Sequence, residues 1–238
     1  MSRLSDLMKS SWHFAWLIVA LALGSVAPAS NAQRAPVDPW EADIARFEAA
    51  DHVDPPAPGA LLFIGSSSIR LWDSLAADFP NERIIKRGFG GSEIRDATRV
   101  AARIVVPYRP RLVLLYAGDN DLASGRTAAE VVADFRTFVA RVHADLPDTG
   151  IAFIAIKPSP ARAHLLEDSR AANAAIADWA RTRPDIHFID VFTPTLDAQG
   201  QPRETLFGPD RLHLNRAGYA IWIERIAALL KQAPRKPE

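Results

Sequence analysis

Four short stretches carry the residue types that covalent chemistry needs. In "GSSS", Gly65 to Ser68, three hydroxyls follow an apolar run. A serine at a strand-to-helix turn projects its hydroxyl over the sheet edge, and its own N–H lies at a helix N-terminus, ready to meet negative charge. The same serines also suit a plain helix cap. "RGFGGSE", Arg87 to Glu93, is glycine-rich, which lets a backbone N–H approach a substrate oxygen or simply makes a tight turn. Gly88 and Gly90 open a dinucleotide-like pattern, but Glu93 stands where the third glycine belongs. "AGDNDLASG", Ala117 to Gly125, offers the Asn120 amide as a neutral donor, although asparagine in a turn is also a common structural device. Its spaced acids imitate a calcium loop, yet Ala123 and Ser124 replace an oxygen ligand and the turn glycine. In "DRLHLN", Asp210 precedes His213 by one turn, so the carboxylate can orient the imidazole and leave its other nitrogen free to take a proton.

A nucleophilic serine, a base, an orienting acid and neutral N–H donors are together what acyl transfer through a tetrahedral intermediate requires. Each stretch is ambiguous alone. The set is informative only if the fold gathers it at one place.

The elements that must do the gathering are legible in the apolar pattern. Five short runs read as strands: Ala60–Ile64, Arg83–Arg87, Leu112–Tyr116, Ile151–Ile156 and His187–Val191. Helical patterns separate them. One starts at Thr127 with Glu130 as a capping box and carries Val131, Phe135, Phe138, Val142 and Leu146 at helical spacing. Arg162–Thr182 is alanine-rich and helical in composition, and Asn215 can cap a last helix that turns Trp222, Ile226 and Leu229 inward. Before the first strand, "WEADIARFEAAD" puts Trp40, Ile44 and Phe47 on one face of a docking helix. Near-continuous apolar strands alternating with helices predict an α/β fold, a three-layer α/β/α sandwich on a five-stranded parallel sheet. In such folds the ligand site lies at the carboxyl ends of the strands, where all four stretches fall.

Bulk properties narrow the function. With 28 basic and 28 acidic residues, the chain has no net field to attract nucleic acid or an anionic surface. It has no cysteine, which excludes a thiol nucleophile, a thiolate metal site and disulfides. Arg3 and Lys9, the apolar run Phe14 to Gly24, and the small residues Ser30 and Ala32 predict a cleaved signal peptide over 1–32. Residues 33–59 then read as an extension with its docked helix, and 60–238 as the main domain. Export to the periplasm or beyond follows as an expectation, without stable membrane insertion once the signal is removed.

In order, these stretches resemble the four blocks of the SGNH hydrolase superfamily, also called GDSL lipases/acylhydrolases. "FIGSSS" resembles the first block and aligns Ser67 with its nucleophile. "GFGGSE" is similar to the second and puts the oxyanion glycine on Gly91. "GDND" fits the third, with Asn120 as the amide donor, and "DRLH" matches the last, with Asp210 and His213. Ser66 replaces the usual Asp of the first block, and Gly90 stands where a serine is frequent in the second. The resemblance implies a flavodoxin-like fold and a serine esterase. It also implies an acyl-enzyme intermediate, an oxyanion hole of Ser67, Gly91 and Asn120, and neither metal nor cofactor.

Short acyl or acetyl esters of small molecules or carbohydrates are the expected substrates. Acyl transfer, thioesters and lysophospholipids are the alternatives within the family. A phosphate-binding doubly wound domain would leave Asp210 and His213 without a role. An exported binding protein would leave the whole set of catalytic residue types unused. The connections Lys157 to His164 and Thr193 to Gly208 are expected to frame the pocket.

Overall fold

The computed structural model describes residues 38–232, and the expected signal segment 1–32 lies outside them. In chain order the elements are α1 (Glu41–Val53), β1 (Leu61–Gly65), two single-turn helices α2 (Ser67–Arg70) and α3 (Leu75–Asp78), and β2 (Ile84–Gly88). Then come α4 (Ile94–Ile104), β3 (Leu112–Tyr116), α5 (Asp119–Ala123), α6 (Ala128–Asp145) and β4 (Gly150–Ile154). The chain ends with α7 (Leu166–Arg181), β5 (Ile186–Ile189) and α8 (Arg216–Gln232).

All four strand pairings are parallel, in the order β2-β1-β3-β4-β5, which is the flavodoxin-like doubly wound arrangement. Successive side chains of a strand point to opposite faces, and here both faces are covered. Leu62, Ile64, Val113, Leu115, Ile151 and Phe153 pack into one core with Ile44 of α1, Ile94 of α4, Phe135 of α6 and Ile176 of α7. Leu61, Phe63, Leu114, Tyr116, Ala152 and Ile154 pack into the other with Ile69, Trp72, Leu75 and Trp222. This two-sided burial is why the three central strands β1, β3 and β4 read as apolar runs, whereas the edge strands β2 and β5 admit Lys86, Arg87 and His187. No helix among the described residues is long and apolar enough to cross a membrane.

Helix α1 is bound to the sheet domain by more than Ile44 and Phe47. Arg103 of α4 bonds both Glu41 and Glu48 at 2.6–2.8 Å, and Asp51 pairs with Arg87 of β2. The capping box on α6 forms as the sequence predicts: Thr127 N–H donates to Glu130 Oε2 at 2.8 Å, and Glu130 N–H to Thr127 Oγ1 at 3.3 Å.

Strand ends shift by one or two residues from the sequence pattern, and two departures bear on the site. The stretch expected to open α7 is instead a 3₁₀ segment, Pro160–Leu165, in which Arg162 has non-helical angles (φ −120°, ψ 32°). Strand β4 stops at Ile154. Past it, the Asn173 side chain replaces a strand partner, accepting from Ile156 N–H at 2.8 Å and donating to Ile156 C=O at 2.9 Å. Both departures turn side chains of the Lys157–Arg162 connection toward the carboxyl edge of the sheet.

Candidate active site

The register of the sheet brings the first three stretches together. Gly65, the last residue of β1, pairs with Gly88 at the end of β2 and with Tyr116 at the end of β3. Ser67, Gly91 and Asn120 therefore follow three adjacent strands that end at one level. Ser67 and Asn120 flank the β1/β3 position where the winding direction reverses, the usual ligand site of this topology. At Gly65 (φ 139°) a Cβ would lie 1.8 Å from Tyr116 O, so only glycine lets the two strands end this close.

His213 reaches the same place from the segment preceding α8. Tyr219 of α8 stacks on Trp72 with centroids 4.9 Å apart, and its hydroxyl donates to Ser68 C=O at 2.8 Å. Asp78 of α3 accepts two bonds from Arg216 at 2.7–2.8 Å, along with those from Trp72 Nε1 and Ser74 Oγ, both 2.8 Å. The Arg216 guanidinium beside it, with the Trp72 and Ser74 bonds, brings the Asp78 carboxyl down to about 2. These contacts fix the first turn of α8 against α2 and α3.

The result is a continuous line of hydrogen bonds. Ser67 Oγ lies 2.9 Å from His213 Nε2, and His213 Nδ1 lies 2.6 Å from Asp210 Oδ2. The other oxygen, Asp210 Oδ1, accepts from the backbone N–H groups of Leu212 and His213 at 3.0 Å each. One carboxylate thus holds both the ring and the backbone of the histidine, and those bonds keep its carboxyl well below the ordinary value. Arg211, between them, is in the left-handed region (φ 57°), and its C=O accepts from Ala161 N–H at 3.0 Å. Of the three serines only Ser67 meets the histidine. Ser66, at the N-cap position of α2, makes no side-chain capping bond, and Ser68 is buried inside the turn rather than starting it.

Donors share the cleft with the hydroxyl. Ser67, Gly91, Asn120 and His213 line one open cleft of about 550 Å³. The Ser67 and Gly91 N–H groups bond no described residue. Gly91 takes φ 82°, a conformation that glycine adopts without strain. The Asn120 amide is held at both ends: Nδ2 donates to Ser92 C=O at 3.0 Å, and Oδ1 accepts from Arg162 Nη2 at 3.1 Å. The second N–H of Nδ2 is left for a ligand.

Beneath it, Asp119 meets the buried Lys157 ammonium at 3.0 Å. Burial alone would raise the Asp119 carboxyl, but Lys157 and Arg162 hold it below its ordinary value. Asp121 ties the second and third stretches together, accepting from Ile94 N–H at 3.1 Å and Gly118 N–H at 2.9 Å. Burial pushes its carboxyl up to about 6 against those two bonds.

Residues 64–221 match the model of the GDSL-like Lipase/Acylhydrolase family. The chain belongs to that family. It is accordingly a carboxylic ester hydrolase, as its sequence blocks imply. No curated protein sequence matches it. Among solved structures it is similar to a GDSL-like lipase from Bacteroides thetaiotaomicron, with TM-score 0.71, 18% identity, and 81% of this chain and 99% of the other covered. It is also similar to a catalytic mutant of an acetylxylan esterase from Geobacillus stearothermophilus, with TM-score 0.58, 17% identity, and coverage of 72% and 94%. A carbohydrate esterase family 3 protein from Talaromyces cellulolyticus gives 0.57, 16%, and 74% and 97%.

Several site residues of this esterase have no signal in the sequence. Asp43 and Arg46 of α1, Arg70 of α2 and Arg162 all line the cleft. The expected framing role of Lys157 to His164 is met by Arg162, whereas Thr193 to Gly208 lines none of the cleft. That second connection lies along the chain leading to α8 instead, with Phe207 bridged to Leu214 and Gly208 N–H bonded to His213 C=O at 2.8 Å.

Proposed function

We propose that the protein hydrolyses short-chain acyl or acetyl esters through an acyl-enzyme on Ser67. The observation that carries this reading is the unbroken Ser67–His213–Asp210 line, 2.9 Å and 2.6 Å, beside three unused N–H donors. His213 Nε2 takes the hydroxyl proton as Ser67 Oγ bonds to the acyl carbon. The N–H groups of Ser67 and Gly91 and the Asn120 amide hold the oxyanion. As the carbonyl re-forms, the bond to the alcohol breaks and the alcohol oxygen leaves with the proton from His213. Water then repeats the sequence and releases the acid. Asp210 keeps the ring in the tautomer with the proton on Nδ1 and stabilises the imidazolium.

The structural likeness to an acetylxylan esterase and a carbohydrate esterase supports a small acyl group and acetylated carbohydrate as the alcohol side. Rates on nitrophenyl esters of increasing chain length and on acetylated polysaccharides test this directly. The expected result is a maximum at acetyl to butyryl, abolished in Ser67→Ala. Full activity in Ser67→Ala sinks the mechanism, and a maximum at long chains sinks the substrate class. We also propose export, supported by Arg3, Lys9, the apolar run Phe14 to Gly24, and Ser30 and Ala32. Protein recovered outside the cytoplasm should begin at Gln33; an intact N-terminus there contradicts cleavage.

A further inference from the structure

The cleft around Ser67 holds more positive charge than attack on a neutral ester needs. Three guanidiniums, Arg46, Arg70 and Arg162, line it against the single carboxylate of Asp43. Two of the three are engaged. Arg46 pairs with Asp43 at 2.6 Å. Arg162 spans Asp119 C=O at 2.9 Å, the Asp119 carboxylate at 3.4 Å and Asn120 Oδ1 at 3.1 Å. Arg70 is different: its side chain is exposed to the cleft and makes no hydrogen bond or ion pair with any described residue.

The position of Arg70 is nevertheless built. Its backbone is wedged against the end of β2, where a Cβ on Gly88 would lie 2.2 Å from Arg70 N. Its guanidinium lies over Gly90: a Cβ there would come 2.7 Å from Arg70 Nε, 3.1 Å from Nη2 and 3.2 Å from Cζ. Gly90 is not among the glycines with positive φ, so its backbone accepts any residue. A side chain at position 90 would have to push the guanidinium aside. The Gly90 peptide is itself pinned, since Trp40 Nε1 donates to its C=O at 2.9 Å. A planar fork of donors therefore sits over Gly90, in the cleft that Ser67 and Gly91 also line.

We propose that the physiological substrate carries a carboxylate, which Arg70 binds while Ser67 attacks the ester. The planar guanidinium matches a carboxylate in bidentate fashion, and one unpaired cation balances one negative charge. The inference rests on the serine-esterase reading and narrows it to esters whose acyl or alcohol part is acidic.

Two matched ester pairs test it. In 4-acetoxybenzoate against 4-acetoxybenzamide the charge is on the alcohol side. In phenyl hemisuccinate against phenyl butyrate it is on the acyl side. The readout is the ratio of kcat/KM within a pair, compared between wild type and variant so that intrinsic reactivity cancels. Arg70→Gln should lower the ratio about tenfold for one pair, mainly through KM, and the responding pair names the side that bears the charge. Arg70→Lys should fall between. Gly90→Ala, which displaces the guanidinium without removing it, should lower the same ratio. Ratios unchanged in Arg70→Gln for both pairs overturn the proposal, as do equal losses on the charged and neutral members. Failure of the esterase reading looks different: none of the four esters is then hydrolysed in a Ser67-dependent way, and both proposals fall together.

Discussion

Arg162 touches no reacting atom, yet its removal should slow turnover. Its Nη2 bond to Asn120 Oδ1, 3.1 Å, and the Ser92 C=O bond to Nδ2, 3.0 Å, are what aim the remaining amide N–H at the cleft. Arg162→Ala deletes the first and leaves the amide free to rotate about the second. A hydrogen bond to a charged group is worth about 1.5–3 kcal/mol, and the whole donor about 2.7–4 kcal/mol. The Arg162 side chain is 23% exposed, so the loss should lie toward the lower part of the first range, roughly 10- to 50-fold in kcat with little change in KM. Asn120→Ala should cost about 10²–10³ in kcat. The decisive assay is the double-mutant cycle on a neutral acetyl ester, with melting curves to confirm folding. In the Asn120→Ala background, Arg162→Ala should cost less than about threefold, because the group it positions is gone. If the two losses multiply, Arg162 does not act through the amide and the reasoning fails.

Two further outcomes follow from the supports of the site. Asp78→Asn should destabilise the protein by up to about 2 kcal/mol at pH 7, because the folded carboxyl sits at about 2 against an ordinary 3.8. A depressed carboxyl contributes its stability above pH 4 and loses it as pH falls through 2, so urea melts of wild type and variant should converge there; a gap independent of pH contradicts the pairing with Arg216. Asp121→Asn can accept only one of the two N–H groups from Ile94 and Gly118, leaving the other facing a donor. The expected cost is about 1–3 kcal/mol of stability together with a fall in kcat, and a variant with unchanged melting and turnover would refute the tie between the two loops.

Much of the fold was legible because both faces of the sheet are covered, so the central strands stand out as apolar runs, and all five strands fall within a residue or two of the expected ends. Ser67, Gly91, Asn120, Asp210 and His213 were legible because the four stretches keep a fixed chain order and each lies at a strand end or just before a helix. Arg70 and Arg162 were not. Neither belongs to a spacing pattern, and each matters only through a partner distant in sequence: Gly90 twenty residues on for Arg70, and Asn120 forty-two residues back for Arg162. The bare Gly90 was visible as a departure from the family pattern, but that the Arg70 guanidinium lies over it appears only in the packing. The start of α7 was misjudged because alanine-rich composition favours helix, whereas the backbone at Arg162 bends to bring its guanidinium to Asn120. Asp43 and Arg46 lie on a helix whose apolar face was read correctly; that its polar face edges the cleft is a fact of docking angle.

Labelling with a fluorophosphonate, followed by mass spectrometry of the digested protein, tests the central claim most directly. A single adduct on Ser67, absent from Ser67→Ala and strongly slowed in His213→Ala, is the predicted result. An adduct on Ser66 or Ser68, or ester hydrolysis by a protein that takes no label, would contradict it.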